Sequence, residues 1–160
     1  MRISIIDVDF NNLTHTQALL QMLNEYACDP MGGGTPLSEF CRTHLIEALK
    51  IRPTVCAVLA FVDTMPAGFS ICMEGFSTFA CQPLLNIHDF AVSPAFRGRG
   101  IGRQLLAHIE ALAAARGCCK MTLEVLQGNQ VAQNLYRACG FAPYELDPAM
   151  GGALMMQKLV

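Results

Sequence analysis

"FRGRGIGRQLL", residues 96–106, sets Arg97 and Arg99 among three glycines, directly ahead of an apolar run that repeats every three or four residues. The run continues through Ile101, Leu105, Ile109 and Leu112, one face of a helix, and Gly117 stands where a C-terminal glycine cap belongs. Upstream, "LLNIHDFAV" at 84–92 reads as a strand. The stretch is therefore a strand-to-helix turn. A helix N-terminus exposes unpaired backbone N–H groups and partial positive charge, so it binds phosphate when side chains leave room for it. Gly98, Gly100 and Gly102 leave that room. The spacing is not GxGxxG, and no Lys-Ser or Lys-Thr follows to complete a P-loop. Glu124 lies near the distance at which a dinucleotide site places its acid, so spacing alone leaves that class open. An RNA-binding arm would repeat, and this stretch occurs once.

Working outward, residues 2–9 alternate as a strand and Thr14–Ala27 reads as a helix. Thr35 and Pro36 are expected to open a second helix that Pro53 closes. "TVCAVLAFV" and "AGFSICMEGF" read as a hairpin joined through residues 63–66, followed by a loop from Ser77 to Pro83. Beyond Gly117, "KMTLEVLQ" reads as a strand and "NQVAQNLYRACG" as a short helix, and "FAPYEL" and "ALMMQKL" as a closing strand pair. That succession makes a mixed α/β (α+β) domain over 1–160 with no linker in it. A short echo joins "DPMGGG" at 29–34 and "DPAMGG" at 147–152, two Asp-Pro, glycine-rich turns.

The bulk numbers narrow the class. The chain has 160 residues, 52% of them hydrophobic and 15% charged, with net charge −2, which excludes disorder and nucleic-acid binding by overall charge. Its longest strongly apolar run, Val55–Val62, is shorter than the roughly 20 residues a membrane helix needs. Asp7 and Asp9 interrupt the N-terminal apolar stretch, unlike a signal peptide, and a cytoplasmic location is expected. Eight cysteines lie scattered without a CxxC pair; most are expected to be buried thiols, with no metal site.

Arg97-x-x-Gly100-x-Gly102, preceded by "HDFAVSPAF" and followed by "GRQLLAHIEALAAARG", resembles the acyl-CoA-binding motif of the GNAT superfamily of N-acetyltransferases. "LEVLQGNQVAQNLYRACGF" resembles the second half of the same signature. The resemblance is close over 84–141. It implies a central, mostly antiparallel twisted sheet of about seven strands with about four flanking helices, acetyl-CoA as cofactor, and a homodimer. It implies that the pyrophosphate lies on the amides of Gly98, Arg99, Gly100, Ile101, Gly102 and Arg103, with Arg97 beside them, and that the pantetheine arm pairs with Phe90, Ala91 and Val92. Asn129 matches the family's cofactor-contacting asparagine and Tyr136 the tyrosine near the sulfur.

Acyl transfer to an amine needs a neutral nitrogen, stabilisation of the oxyanion and a proton for the departing sulfur. Glu124, alternating with Leu123 and Val125, and His88, next to Asp89, are the candidate bases, with Tyr136 the acid. An amine near pKa 10 exceeds an unperturbed Glu by roughly six units and a His by less, so neither acts unaided. A phenol near 10 donating to a thiolate near 8.5 is uphill by only about 1.5 units. By the resemblance the acceptor enters between the loop joining the first two helices and the loop joining the last two strands. Asp29, Met31, Asp147 and Met150 are accordingly expected to shape its pocket. The expected activity is acetyl transfer to a primary amine of a small molecule, an amino acid or a peptide N-terminus. The alternatives are a GNAT-fold module that binds acyl-CoA without turnover, and a nucleotide-binding protein of another fold that prefers NAD or ATP.

Overall fold

The computed structural model describes all 160 residues, which group into two compact units, Met1–Leu123 and Glu124–Val160. The first unit holds a five-stranded sheet in the order β1-β2-β3-β4-β5: β1 Ile3–Asp7, β2 Val55–Val62, β3 Met65–Ser77, β4 Gln82–Val92 and β5 Met121–Leu123. The first four strands are antiparallel neighbours and β5 lies parallel to β4. The β2–β3 hairpin turns on Asp63 and Thr64, with Asp63 at φ +54, a conformation aspartate tolerates.

Two helices pack on one face. α1, Leu13–Cys28, is capped by Asn12, whose side chain accepts from the Thr14 and His15 amides. It buries Ala18, Leu19, Met22 and Leu23 against Leu59, Phe69 and Ile71 of the sheet. α2, Glu39–Lys50, begins later than the Thr35-Pro36 pair predicts. Ser38 Oγ caps the Cys41 amide at 3.1 Å, while Asn24 Oδ1 holds the Leu37 amide at 3.0 Å and keeps the preceding residues extended.

α3, Ile101–Ala115, covers the opposite face, burying Ile101, Leu105, Leu106, Ile109 and Ala113. Its seat is Gly68, where a Cβ would lie 2.9 Å from Leu105 Cδ1 and 3.5 Å from Ile101 Cγ2. His108 Nε2 meets Asp7 Oδ1 at 2.7 Å, fastening the helix to β1.

The second unit contains α4, Gln130–Ala138, capped by Asn129, and a single bridge between Glu145 and Gly152. The closing strand pair expected from "FAPYEL" and "ALMMQKL" does not form, so the sheet has five strands rather than about seven. Leu154, Met155, Met156 and Leu159 are exposed and bury no face that would fix a strand register. The strand expected over 120–127 is three residues long. Past Leu123 the backbone turns: Leu126 O accepts from the Asn129 amide, and Gln127 O from Gln133 Nε2 at 2.8 Å. The cysteines also differ from expectation, all eight being free thiols of which only Cys72 is buried. Cys56 is half-buried on β2 opposite Cys72, while Cys28, Cys81 and Cys119 are exposed. No helix is long and apolar enough to cross a membrane.

Candidate active site

The C-terminal half of β4 organises the first unit's site. Opposite β3, Ile71 faces Asp89 and Cys72 faces Ile87, so His88 is the extra residue of a β-bulge. Bulges bend a strand and re-aim its side chains, and His88 is exposed there. On the other edge β5 pairs only with Leu85, Asn86 and Ile87, so its ladder ends one residue before the bulge. Phe90, Ala91 and Val92 continue beyond it, paired in register with Ser70, Phe69 and Gly68 of β3. A strand end leaving a ladder is a place where an extended ligand adds main-chain hydrogen bonds.

The phosphate turn follows. After a 3-10 turn at Pro94–Phe96, Gly98 and Gly100 adopt φ +76 and +78, the left-handed region that favours glycine. Gly100 is the N-cap of α3, and the first bond of the ladder runs from the Gln104 amide to Gly100 O at 3.2 Å. The amides of Ile101, Gly102 and Arg103 therefore precede the ladder at the positive end of a 15-residue helix. A Cβ at Gly98 or Gly100 would meet nothing within 4 Å, so open space fronts the turn. This cradle fits a pyrophosphate.

The three arginines divide their work. Arg97 Nε donates to Val92 O at 3.1 Å and Nη2 pairs with Asp29 Oδ2 at 3.0 Å. Arg99 lies 5.5 Å from the Phe96 ring centroid and donates to Ala95 O. Arg103 is exposed on the first turn of α3.

A shallow, open cleft lies beside this turn, between the end of α1 and the end of β4. Glu25, Tyr26 and Asp29 line one side, Ala91 to Pro94 and Arg97 the other. Buried Ser93 donates from Oγ to Glu25 Oε1 at 2.7 Å. Burial raises the Tyr26 phenol above its ordinary range, with Asp89 and then Asp29 adding to the effect. Burial likewise raises the half-buried Asp89 carboxyl, while the neighbouring His88 pulls it down. The Met31 amide and then the Arg97 guanidinium hold Asp29 below the usual carboxylate range.

Asp29 thus faces the phosphate turn through Arg97, a placement the sequence reading did not foresee. That reading also missed Glu25, Tyr26, Ser93 and Asp89. A signal was available in "NEY" at 24–26, three polar-tipped residues directly after the apolar positions Leu19, Leu20, Met22 and Leu23.

The second unit holds the remaining candidates. Asn129 Oδ1 caps α4 by accepting from the Ala132 amide at 3.1 Å. Tyr136 is buried, its ring edge-on to Phe141 with centroids 5.8 Å apart. Glu124 is exposed just past the end of β5, so the alternation that would aim it away from Leu123 and Val125 does not apply. Asp147 caps a 3-10 turn at Pro148–Met150, and Met150 is exposed.

The bulged strand, the glycine turn and the helix that follows all lie within residues 19–141, which match the model of the acetyltransferase (GNAT) family. The chain belongs to that family. It is 44% identical over 66 residues to streptothricin acetyltransferase of Streptomyces lavendulae, covering 41% of this chain and 35% of that protein. It is 41% identical over 64 residues to the [ribosomal protein bS18]-alanine N-acetyltransferase of Haemophilus ducreyi, covering 38% of this chain and 44% of that one. The chain thus spans less than half the length of these curated relatives. Among solved structures, AAC(6')-Iy in complex with the bisubstrate analogue CoA-S-monomethyl-acetylneamine superposes over the full length of both chains with a TM-score of 0.76 at 19% identity, a likeness of fold.

Proposed function

We propose that the protein is an acetyl-CoA-dependent N-acetyltransferase that passes the acetyl group directly to a primary amine. The observation that carries the reading is the cradle at Gly98–Arg103, built at the end of a strand that has left its parallel neighbour. Relatives named for streptothricin and for a ribosomal-protein alanine support an amine acceptor.

Acetyl-CoA supplies the activated thioester. The amides of Ile101, Gly102 and Arg103 would hold its phosphates, with Arg99 and Arg103 adding charge, and Phe90 to Val92 would offer main-chain groups to its extended arm. By the family resemblance Asn129 and Tyr136 are further candidates for cofactor contact. His88, aimed by the bulge, or Glu124 is the candidate to take the amine's proton, directly or through water, and by the family resemblance Tyr136 is the candidate to deliver one to the sulfur. By the family resemblance Asp29 and Met31 of the first unit, and separately Asp147 and Met150 of the second, are candidates for contact with the amine, and their carboxylates favour a cation.

Thermal unfolding with and without acetyl-CoA tests the cofactor, with NAD and ATP as controls. At 100 times Kd the ligand adds about 2.7 kcal/mol, or several degrees in Tm. A shift with acetyl-CoA alone is the expected result; none, or a larger one with NAD or ATP, rejects the reading. Turnover is then read on a panel of aminoglycosides, amino acids and N-terminal alanine peptides. Glu124→Gln, His88→Ala and Tyr136→Phe are each expected to lower kcat by about tenfold or more. If all three keep full kcat, the assigned proton carriers are wrong.

A further inference from the structure

Asp29 is the most heavily used residue of the loop between α1 and α2. Its Oδ1 accepts from the Met31 amide at 2.9 Å, and its backbone O accepts from the amides of Gly32 and Gly34 at 2.8 and 3.1 Å. The second carboxylate oxygen, Oδ2, is spent on Arg97. Arg97 in turn is gripped at two points, by Val92 O on Nε and by Asp29 on Nη2, although its side chain remains 53% exposed. A guanidinium has five N–H donors in a rigid fork, so fixing two of them sets the direction of the rest. The free Nη1 edge belongs to the residue that opens the glycine turn.

We infer that Asp29 is a positioning residue for cofactor binding: it holds the Arg97 fork at the mouth of the phosphate cradle and, through the same ion pair, ties the α1–α2 loop to that cradle. The inference rests on the acetyltransferase reading and adds to it a second role for a residue placed along the amine's approach. It also has a sign that separates it from simple electrostatics. A carboxylate near a polyanion's site repels the ligand, so its neutralisation tightens binding when charge alone matters. An orienting carboxylate does the opposite, because without it the fork loses its direction and its pre-paid order.

Asp29→Asn isolates the effect, since the Asn Oδ1 still accepts from the Met31 amide while its NH2 group offers Arg97 a donor instead of an acceptor. Coenzyme A binding is measured by calorimetry on the wild type and on Asp29→Asn, with Tm of each unliganded protein alongside. The expected result is CoA binding weakened by about fivefold or more in Asp29→Asn. Equal or tighter binding overturns the inference and leaves the acetyltransferase reading standing. If the wild type itself binds no CoA, both fall together. Should Asp29→Asn fail to fold, hydrogen exchange on the wild type decides: by reciprocity, CoA slows exchange at the Met31, Gly32 and Gly34 amides. Unchanged exchange there in a protein that binds CoA overturns the inference.

Discussion

Asp29-Pro30-Met31-Gly32 and Asp147-Pro148-Ala149-Met150 are two solutions to the same local problem. In both, the aspartate side chain accepts from the amide two residues on at 2.9 Å, proline opens a 3-10 turn, and the fourth amide bonds back to the aspartate carbonyl, at 2.8 and 2.9 Å. Proline's fixed φ and the short aspartate side chain dictate that much. The difference begins with the second carboxylate oxygen. Asp29 spends it on Arg97, 68 residues along the chain, and that pairing has no counterpart among the bonds of the 147–152 turn. Position four differs as well. A Cβ on Gly32 would lie 2.0 Å from Tyr26 O, whereas the equivalent Met150 is 82% exposed. Local sequence writes the turn, and a distant partner decides whether the turn is part of a site.

The sharpest way to break the comparison is at position four. Gly32→Ala forces the Tyr26 carbonyl aside and is expected to cost about 2–3 kcal/mol, a fall of roughly 5–10 °C in Tm by calorimetry, while Met150→Ala moves it by about 1 °C or less. Next in size is the aspartate itself. Asp29→Ala removes a cap and an ion pair and is expected to cost about 1–2 kcal/mol in urea unfolding, against about 0.5 kcal/mol or less for Asp147→Ala. Equal losses would mean that the ion pair adds nothing beyond the turn.

A smaller effect follows from acidity. The folded pKa of Asp29 is lowered, so its contribution is present above the unfolded value of about 3.8 and is lost as pH falls through the folded one. The stability gap between wild type and Asp29→Asn is therefore expected to hold from pH 7 to about 5 and to close below about 3.8. A gap that widens in acid contradicts the assignment. The smallest effect is screening: with Arg97 half exposed, 1 M salt trims the same gap by a few tenths of a kcal/mol.

Much of the fold was legible because its signals were local and periodic. α1, the β2–β3 hairpin, β4 and α3 follow from apolar spacing, and Gly117 takes the left-handed φ expected of a C-terminal cap. Asn129 caps its helix as an asparagine in that position should. Other features depended on partners that sequence does not display. Asn24 delays the start of α2 by holding Leu37, and Gln133 takes the carbonyl of Gln127 that a longer β5 would have used. The glycine-bearing turn ahead of α3 was readable from Gly98 and Gly100, which adopt left-handed φ. The cleft was not, since Glu25 meets Ser93 across 68 residues and the bulge at His88 appears only when β3 and β4 are in register.

Gly68 takes part in none of these contacts with charge or ligand, yet it sets a dimension of the machine. A Cβ there would fall 2.9 Å from Leu105 Cδ1, the flexible tip of a helix side chain, and 3.1 Å from the carbonyl oxygen of Ala91 on the neighbouring strand. One methyl group there would act as a shim, turning the tip of Leu105 aside and pressing on Ala91 O. The fit of sheet against helix is thus gauged by the smallest residue in the chain, on the strand next to the one that leads into α3.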